Sequence, residues 1–186
     1  MYQHEQLFAL GEGFFDAAFE PSMWVELLEH VVHRLGVVRA DLHLIKDDVL
    51  PCNYMGAQPA AFLQQYSEQF LASEPRCQAL RGLCPGPLTS DHDVVDAQTM
   101  RSNPYDTDFL PRAGLGQGIA ATPVNDARRR AYFGLHLAAS ASTRNPALLT
   151  SVQAIQGRLS RAVSAQFRLI RRSSRTHNYP PVSISP

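Results

Sequence analysis

Two histidines lie in segments whose residue pattern is typical of β-strands. His43 lies in the run ADLHLI and His136 in the run AYFGLHLA, where they alternate with aliphatic residues. Strand side chains point alternately to opposite faces, so we expect both imidazoles on one face, together with Asp41 and Tyr132 if the two strands pair. The pattern predicts a polar sheet face that lines a ligand pocket or, alternatively, two ordinary half-exposed histidines. The aliphatic residues should be buried more deeply; they are Leu42, Leu44, Phe133, Leu135 and Leu137.

A second candidate is an aromatic stripe that ends at an acidic residue. Phe62, Tyr66 and Phe70 follow one another at intervals of four, which places them on one face of a helix. Glu74 comes one helical turn later and supplies a hydrogen-bond acceptor beside this aromatic wall. Such a stripe is either plain core or the wall of a binding site.

Other motifs give weaker indications of chemistry. The triplet Asp91-His92-Asp93 is interpreted as a solvated polar turn, and we expect no catalysis there. The run GLGQG at 114–118 precedes a strand and so lacks the helix N-terminus that would hold a phosphate. Cys52, Cys77 and Cys84 form no ligand pair, so neither a disulfide framework nor a metal site is predicted. The chain carries no nucleophile-elbow, zinc-protease or P-loop motif, and we expect neither an enzyme nor a cofactor.

The helices and strands that position these residues can be predicted from the spacing of apolar residues and from the residues that begin and end helices. Pro21 suits the first turn of a helix and Gly36 suits the position after its end. The arrangement predicts an α+β domain over residues 1–172, a small antiparallel sheet with helices on its faces, and a disordered Pro/Ser tail over 173–186. The predicted elements are helices over 7–18, 21–35, 59–74, 98–110 (interrupted at 103–104) and 146–172, strands over 40–45, 49–56, 119–124 and 131–138, and a loop over 76–89.

Composition places the chain among ordinary globular proteins. Its 186 residues are 45% hydrophobic, with neither an apolar run long enough to span a bilayer nor a secretion signal, so we expect a cytoplasmic protein. All 17 acidic residues lie at or before Asp126, whereas ten arginines lie beyond it. This asymmetry indicates either an electropositive contact surface or a basic C-terminal helix on an acidic body. Nucleic-acid binding by the arginine-rich end is a further alternative, without a helix-turn-helix motif to support it.

Five stretches, which together extend over about residues 5–172, resemble motifs of one family. That family is the N-terminal sensory domains of LuxR-type helix-turn-helix regulators, which include the autoinducer-binding domains. The similar stretches are EPSMW at 20–24, Tyr66-x-x-x-Phe70-x-x-x-Glu74-Pro75-Arg76, NPYDTDFL at 103–110, GLGQGIAATPV at 114–124 and FGLHLA at 133–138.

The resemblance implies a PAS/GAF-like fold, with terminal helices on one face of the sheet and a ligand cavity on the other. It places Tyr66, Phe70 and Glu74 on the pocket side, and together with their helical spacing it predicts that Glu74 borders a cavity lined by Tyr66 and Phe70. Glu74 replaces the aspartate that binds the lactone amide in homoserine-lactone receptors, and the pocket tryptophans are missing because Trp24 lies in the second helix. We therefore expect a ligand other than a homoserine lactone. The stretches show no likeness to the DNA-binding part of these regulators, so we expect none in this chain.

The favoured function is a sensory domain that binds a small, largely apolar ligand and signals through its terminal helices. The alternative is a ligand-independent interaction module that pairs with a full-length regulator. A closed cavity of a few hundred cubic ångströms would favour the first, and a fully packed core the second. We also predict a homodimer through the C-terminal helix, whose apolar stripe should extend past the body near Phe167 and Ile170. The candidate ligand-binding residues are His43, Tyr54, Phe62, Tyr66, Phe70, Glu74, Phe109 and His136.

Overall fold

A computed structural model describes residues 2–47, 49–56, 60–70, 74–80 and 82–170 of the chain. Its helices are α1 (Tyr2–Phe19), α2 (Trp24–Leu35), α3 (Ala60–Gln65), α4 (Pro75–Leu80), α5 (Asp91–Val94), α6 (Ala97–Ser102), α7 (Leu110–Arg112) and α8 (Pro146–Ile170). Its strands are β1 (Arg39–Lys46), β2 (Val49–Met55), β3 (Leu88–Ser90), β4 (Leu115–Asn125) and β5 (Arg129–Ala138). A 3₁₀ turn at Pro21–Met23 precedes α2, and π-helical turns at Tyr66–Phe70 and Tyr105–Phe109 follow α3 and precede α7.

The five strands form one antiparallel sheet in the order β2-β1-β5-β4-β3. The predicted α+β class is therefore confirmed. β1 lies beside β5, which meets the condition under which the two histidines were expected to share a face. Gly36 ends α2 with a φ of 65°, a left-handed conformation that glycine adopts without the strain of a side chain. The predicted tail over 173–186 lies outside the described residues.

The segment predicted as a loop over 76–89 is more regular than expected. It contains α4 and the short edge strand β3, which pairs with β4. The polar triplet at 91–93 forms α5 instead of an open turn, because Ser90 and Asp93 cap its first turn reciprocally. These short elements are stabilised by contacts with distant residues, which explains why local sequence did not reveal them.

One face of the sheet packs on the terminal helices α1, α2 and α8. This layer is the main hydrophobic core, in which Phe14, Trp24 and Phe133 are fully buried. Phe14 lies between the other two aromatic rings, with centroids 6.0 and 6.5 Å away. The predicted facing of the strands is confirmed, because Leu42 and Leu44 are fully buried whereas His43 is half-buried.

The apolar stripe of α8 was predicted to extend past the body of the domain, and this prediction is wrong. Ile155 and Phe167 are 0% and 1% exposed, because α8 packs along α1 and against β4. Ile170 is half-buried. The stripe is thus used within the protomer, and the prediction of a dimer formed by that stripe loses its basis. The basic helix does contact the acidic N-terminal helix, with Arg158 Nε 3.8 Å from a carboxylate oxygen of Glu12.

Candidate functional site

The opposite face of the sheet borders a cavity of about 80 Å³. The short helices and turns between β2 and β4 cover it and form a second layer. Its described lining includes His43, His136, Asp41 and Glu74, which the sequence motifs had indicated. It also includes residues that the motifs did not indicate. The described lining residues are Arg39, Asp41, His43, Ile45, Tyr66, Glu74, Arg76, Leu80, Thr89, Asp91, Val94, Tyr105, Gly118, Ile119, Ala120, Tyr132, Gly134, Leu135 and His136.

Asp41 lies at the centre of the sheet side of the cavity. Its carboxylate oxygens lie 3.3 Å from His43 Nε2, 3.4 Å from His136 Nε2 and 3.3 Å from Arg39 Nη2. Burial raises the pKa of Asp41, but hydrogen bonds from His136 and His43 and the charge of Arg39 outweigh that effect, so the pKa lies well below its usual value. The buried group is therefore a carboxylate at neutral pH.

A glycine on β5 makes room for that carboxylate. Gly134 pairs with Asp41 across the two strands, and a Cβ atom at this position would collide with the carboxylate of Asp41. The absent side chain leaves room for the carboxylate beside its two imidazole partners. The FGLHLA motif thus contributes a close approach as well as a strand.

A buried ion-pair network forms another part of the cavity wall. Arg76 Nε and Nη2 each lie 2.9 Å from a carboxylate oxygen of Asp91, and the same guanidinium also pairs with Asp106. Asp91 accepts a further hydrogen bond of 2.7 Å from the Gly118 backbone N–H. The network ties α4, α5 and the turn at 105–109 to β4. Burial lowers the pKa of Arg76, but its hydrogen bonds to Asp106 and Asp91 outweigh that effect and raise it, so the cation is permanent.

Asp91 corrects the interpretation of the 91–93 triplet. It is 6% exposed, and it was expected to be a solvated turn carboxylate. Burial of Asp91 is tolerated because the acid is paired with the Arg76 cation and accepts hydrogen bonds from Arg76 Nη2 and the Gly118 N–H. His92 and Asp93 are exposed, as a polar turn would have them.

Glu74 reaches the cavity together with one residue of the aromatic stripe. It is 6% exposed and accepts a short hydrogen bond from the Tyr66 hydroxyl. Tyr105 lines the same region, and its pKa is raised well above the usual value by burial and, in second place, by the negative charge of Glu74. A carboxylate and two phenols are thus concentrated at this end.

The other predicted aromatic residues lie behind the cavity wall. Phe62, Phe70 and Phe109 are not among the described lining residues; they form an aromatic cluster with Tyr66 and Tyr105. Phe109 lies 4.7 Å, centroid to centroid, from both of the other phenylalanines. These three phenylalanines pack behind the lining residues and support the cavity wall.

Tyr54 lies on the wrong side of the sheet for the predicted binding role. It pairs across the strands with Leu42 and stacks on Trp24, with ring centroids 5.8 Å apart. Its hydroxyl accepts a hydrogen bond of 2.7 Å from Gln166 Nε2, and Gln166 Oε1 accepts one of 3.0 Å from the Trp24 indole. Tyr54 therefore ties β2 to α8 and α2.

Sequence reasoning missed Arg39 and Arg76. Arg39 lies two residues before Asp41, so strand alternation places it on the same face as the histidines. The sequence pattern could therefore have predicted Arg39 as a site residue. Arg76 stands in the Tyr66–Arg76 motif, but nothing local shows that its partners are Asp91 and Asp106. The described residues contain no cluster of side chains suited to hold a metal ion, and no described helix is long and apolar enough to cross a membrane.

The comparisons with known proteins find likeness in structure alone. No family model matches the sequence, and no curated protein matches it. Among solved structures, the chain is similar to the VqsR LBD domain from Pseudomonas aeruginosa, with a TM-score of 0.62 and 16% sequence identity. The match covers 89% of this chain and 96% of that one. At this identity the likeness establishes a shared fold.

Proposed function

We propose that this chain is a regulatory ligand-binding domain with a non-catalytic, cytoplasmic role, similar to the PAS/GAF-like sensory domains of LuxR-type regulators. The observation that carries the proposal is the cavity between the sheet and the second layer, which is lined by the buried ionisable side chains Asp41, Glu74 and Arg76. Buried charges that line an open space are typical of sites that recognise a small molecule. The fold shared with VqsR, a LuxR-type regulator whose matched part is a ligand-binding domain, supports this function.

The size of the cavity limits the ligand. A volume of about 80 Å³ is below the few hundred cubic ångströms expected for a typical ligand pocket, so the described shape suits a compact molecule. Apolar side chains such as Ile45, Leu80 and Val94 occupy much of the wall, which agrees with a ligand whose body is largely apolar. The ionisable groups would then bind its polar end.

Signalling would pass through the sheet to the terminal helices. β1 and β5 carry His43 and His136 on the cavity face, and Leu42 and Phe133 on the face that packs against α1, α2 and α8. A ligand shifts the arrangement of these helices only if it binds one arrangement more tightly than another. The hydrogen-bonded chain from Tyr54 through Gln166 to Trp24 would keep α8 in register with the sheet.

Native mass spectrometry of the chain after incubation with a small-molecule cell extract tests the proposal. Ala120→Leu fills the cavity from β4, and Ala127→Leu makes the same change at the exposed tip of the β4–β5 hairpin. We expect one discrete mass adduct on the wild type and on Ala127→Leu, and its loss from Ala120→Leu. Equal adducts on all three proteins, or none on any, would contradict the proposal.

The second candidate is an interaction module, and exposed apolar side chains on α1 and α2 favour it. Phe19 is 67% exposed, Phe8 is 49% exposed and Val25 is 42% exposed. Such side chains can contribute to a contact with a second copy or with a full-length regulator. Analytical ultracentrifugation of the wild type and of Phe19→Glu tests this, since a dimer formed there would dissociate in the variant.

A further inference from the structure

The described residues that line the cavity carry more negative than positive charges. Among the described lining residues, the carboxylates of Asp41, Glu74 and Asp91 outnumber the guanidiniums of Arg39 and Arg76. The excess grows when Asp106 is included, because it pairs with the same Arg76 that Asp91 contacts. With the imidazoles counted as neutral, the described site therefore carries excess negative charge, which is costly in a low-dielectric interior.

The two guanidiniums are occupied by carboxylates of the protein. Arg76 contacts two acids and lies over the Tyr105 ring, 5.2 Å from its centroid. Arg39 contacts Asp41 and lies over Phe62 at 5.0 Å. Their positive charge is thus already matched inside the protein, and an anionic ligand would compete with these acids.

The uncharged parts of the lining also suit a cation. Tyr66, Tyr105 and Tyr132 line the cavity, and the faces of aromatic rings attract organic cations. His136 Nε2 lies against Asp41, whereas its Nδ1 has no hydrogen-bond partner among the described residues. In the neutral ring, an Nε2–H that donates to Asp41 leaves Nδ1 as an acceptor for an N–H donor.

We propose that the ligand is a compact organic cation, with a primary ammonium group on an apolar body. This inference rests on the proposed function and specifies the ligand of the same cavity. A cavity of about 150 Å³ holds benzene, so about 80 Å³ suits a molecule of roughly four non-hydrogen atoms. The ammonium group lies among Glu74, Asp41 and His136, and the alkyl part contacts the apolar wall.

The rival ligand is a small carboxylate. Arg39 Nε is buried and has no hydrogen-bond partner among the described residues, so it offers a donor to an anion. The net charge of the described lining residues opposes that choice. Three probes of nearly equal size separate the classes, namely propylammonium, propionate and 1-propanol.

NMR titration of the full chain at about pH 8, above the ordinary imidazole pKa of about 6.5, measures the three affinities. The amides of Gly118 and Gly134 line the cavity and report binding there. We expect propylammonium to bind at least about tenfold more tightly than the other two probes, as a charge-assisted hydrogen bond implies. Tighter binding of propionate or 1-propanol would overturn the cation class and leave the proposed ligand-binding function intact.

Two variants localise the effect. Glu74→Gln keeps the shape of the side chain and removes one negative charge, and we expect it to weaken propylammonium binding about tenfold. Glu68→Gln makes the same change at an exposed position and should leave the affinity unchanged. The proposal would be overturned if Glu74→Gln and Glu68→Gln bound propylammonium with the same affinity. It would also be overturned if the Gly118 and Gly134 amides of the wild type did not respond to propylammonium. If Glu74→Gln fails to fold, the order of the three affinities in the wild type decides.

Discussion

The two faces of the sheet are covered by different kinds of structure. Three long helices cover one face, and their contact with it is an apolar core in which Trp24, Phe133 and Ile155 are fully buried. Short helices and π-helical turns cover the other face, where buried acids, arginines and histidines surround a cavity. The long helices bury continuous apolar stripes, whereas the short segments combine an aromatic cluster with polar contacts between distant residues. The helical face accordingly contributes most of the apolar burial, and the cavity face offers the chemistry.

The largest expected effect is on the helical face. Phe133→Ala removes a fully buried ring that packs against Phe14, and it should lower the free energy of unfolding by about 3–5 kcal/mol. Chemical denaturation measures this. Phe8→Ala is the control, because Phe8 is 49% exposed and its loss should cost much less. Similar losses in the two variants would remove the distinction between core and surface on this face.

The next effect tests the network on the cavity face. Arg76→Met keeps much of the side-chain volume but leaves Asp91 and Asp106 without their cation, so we expect a loss of about 3 kcal/mol in unfolding free energy. Arg112→Met removes the exposed pair with Asp108 and should cost at most about 0.5 kcal/mol. A loss at Arg76 as small as that at Arg112 would show that the network does not stabilise the second layer.

A smaller effect is expected where the helical face contains its own buried polar contact. Gln166→Met is close in shape but removes both hydrogen bonds, leaving the Tyr54 hydroxyl and the Trp24 indole without that partner. We expect a loss of about 1–3 kcal/mol, since unsatisfied buried polar groups are costly. Urea unfolding followed by Trp24 fluorescence measures it, because Trp24 is the one tryptophan of the chain. Unchanged stability would show that the contact merely fills space.

The smallest expected effect is a loss of stability at low pH that depends on Asp41. The pKa of Asp41 is lowered in the folded protein, so the unfolded chain takes up this proton at higher pH than the folded one does. Asp41 therefore contributes stability that is fully present above about pH 4, the usual aspartate pKa, and is lost as the pH falls through the lower folded value. Unfolding measured from about pH 5 downward should show a steeper loss in the wild type than in Asp41→Asn. Parallel curves would contradict the assignment.

Much of the helical face could be predicted from the sequence. Alternation in ADLHLI and AYFGLHLA predicted the strands β1 and β5 and the face that each side chain occupies, whereas their pairing came from the structure. Gly36 and Pro146 marked where α2 ends and where α8 begins. These features are local, because a periodic apolar stripe and a helix-ending residue act within a few positions of the chain.

The cavity face was decided by tertiary contacts. Asp91 has the same local sequence whether it is solvated or buried, and Arg76, fifteen positions away, makes its burial favourable. Periodicity alone could not show that Tyr54 faces the terminal helices, nor that α1 and β4 cover the stripe of α8. The sequence by itself determined the long helices and the strands β1, β2, β4 and β5, because those depend on spacing. Only the tertiary structure decided which charges are buried together, because a buried charge is tolerated only where a distant segment supplies its partner.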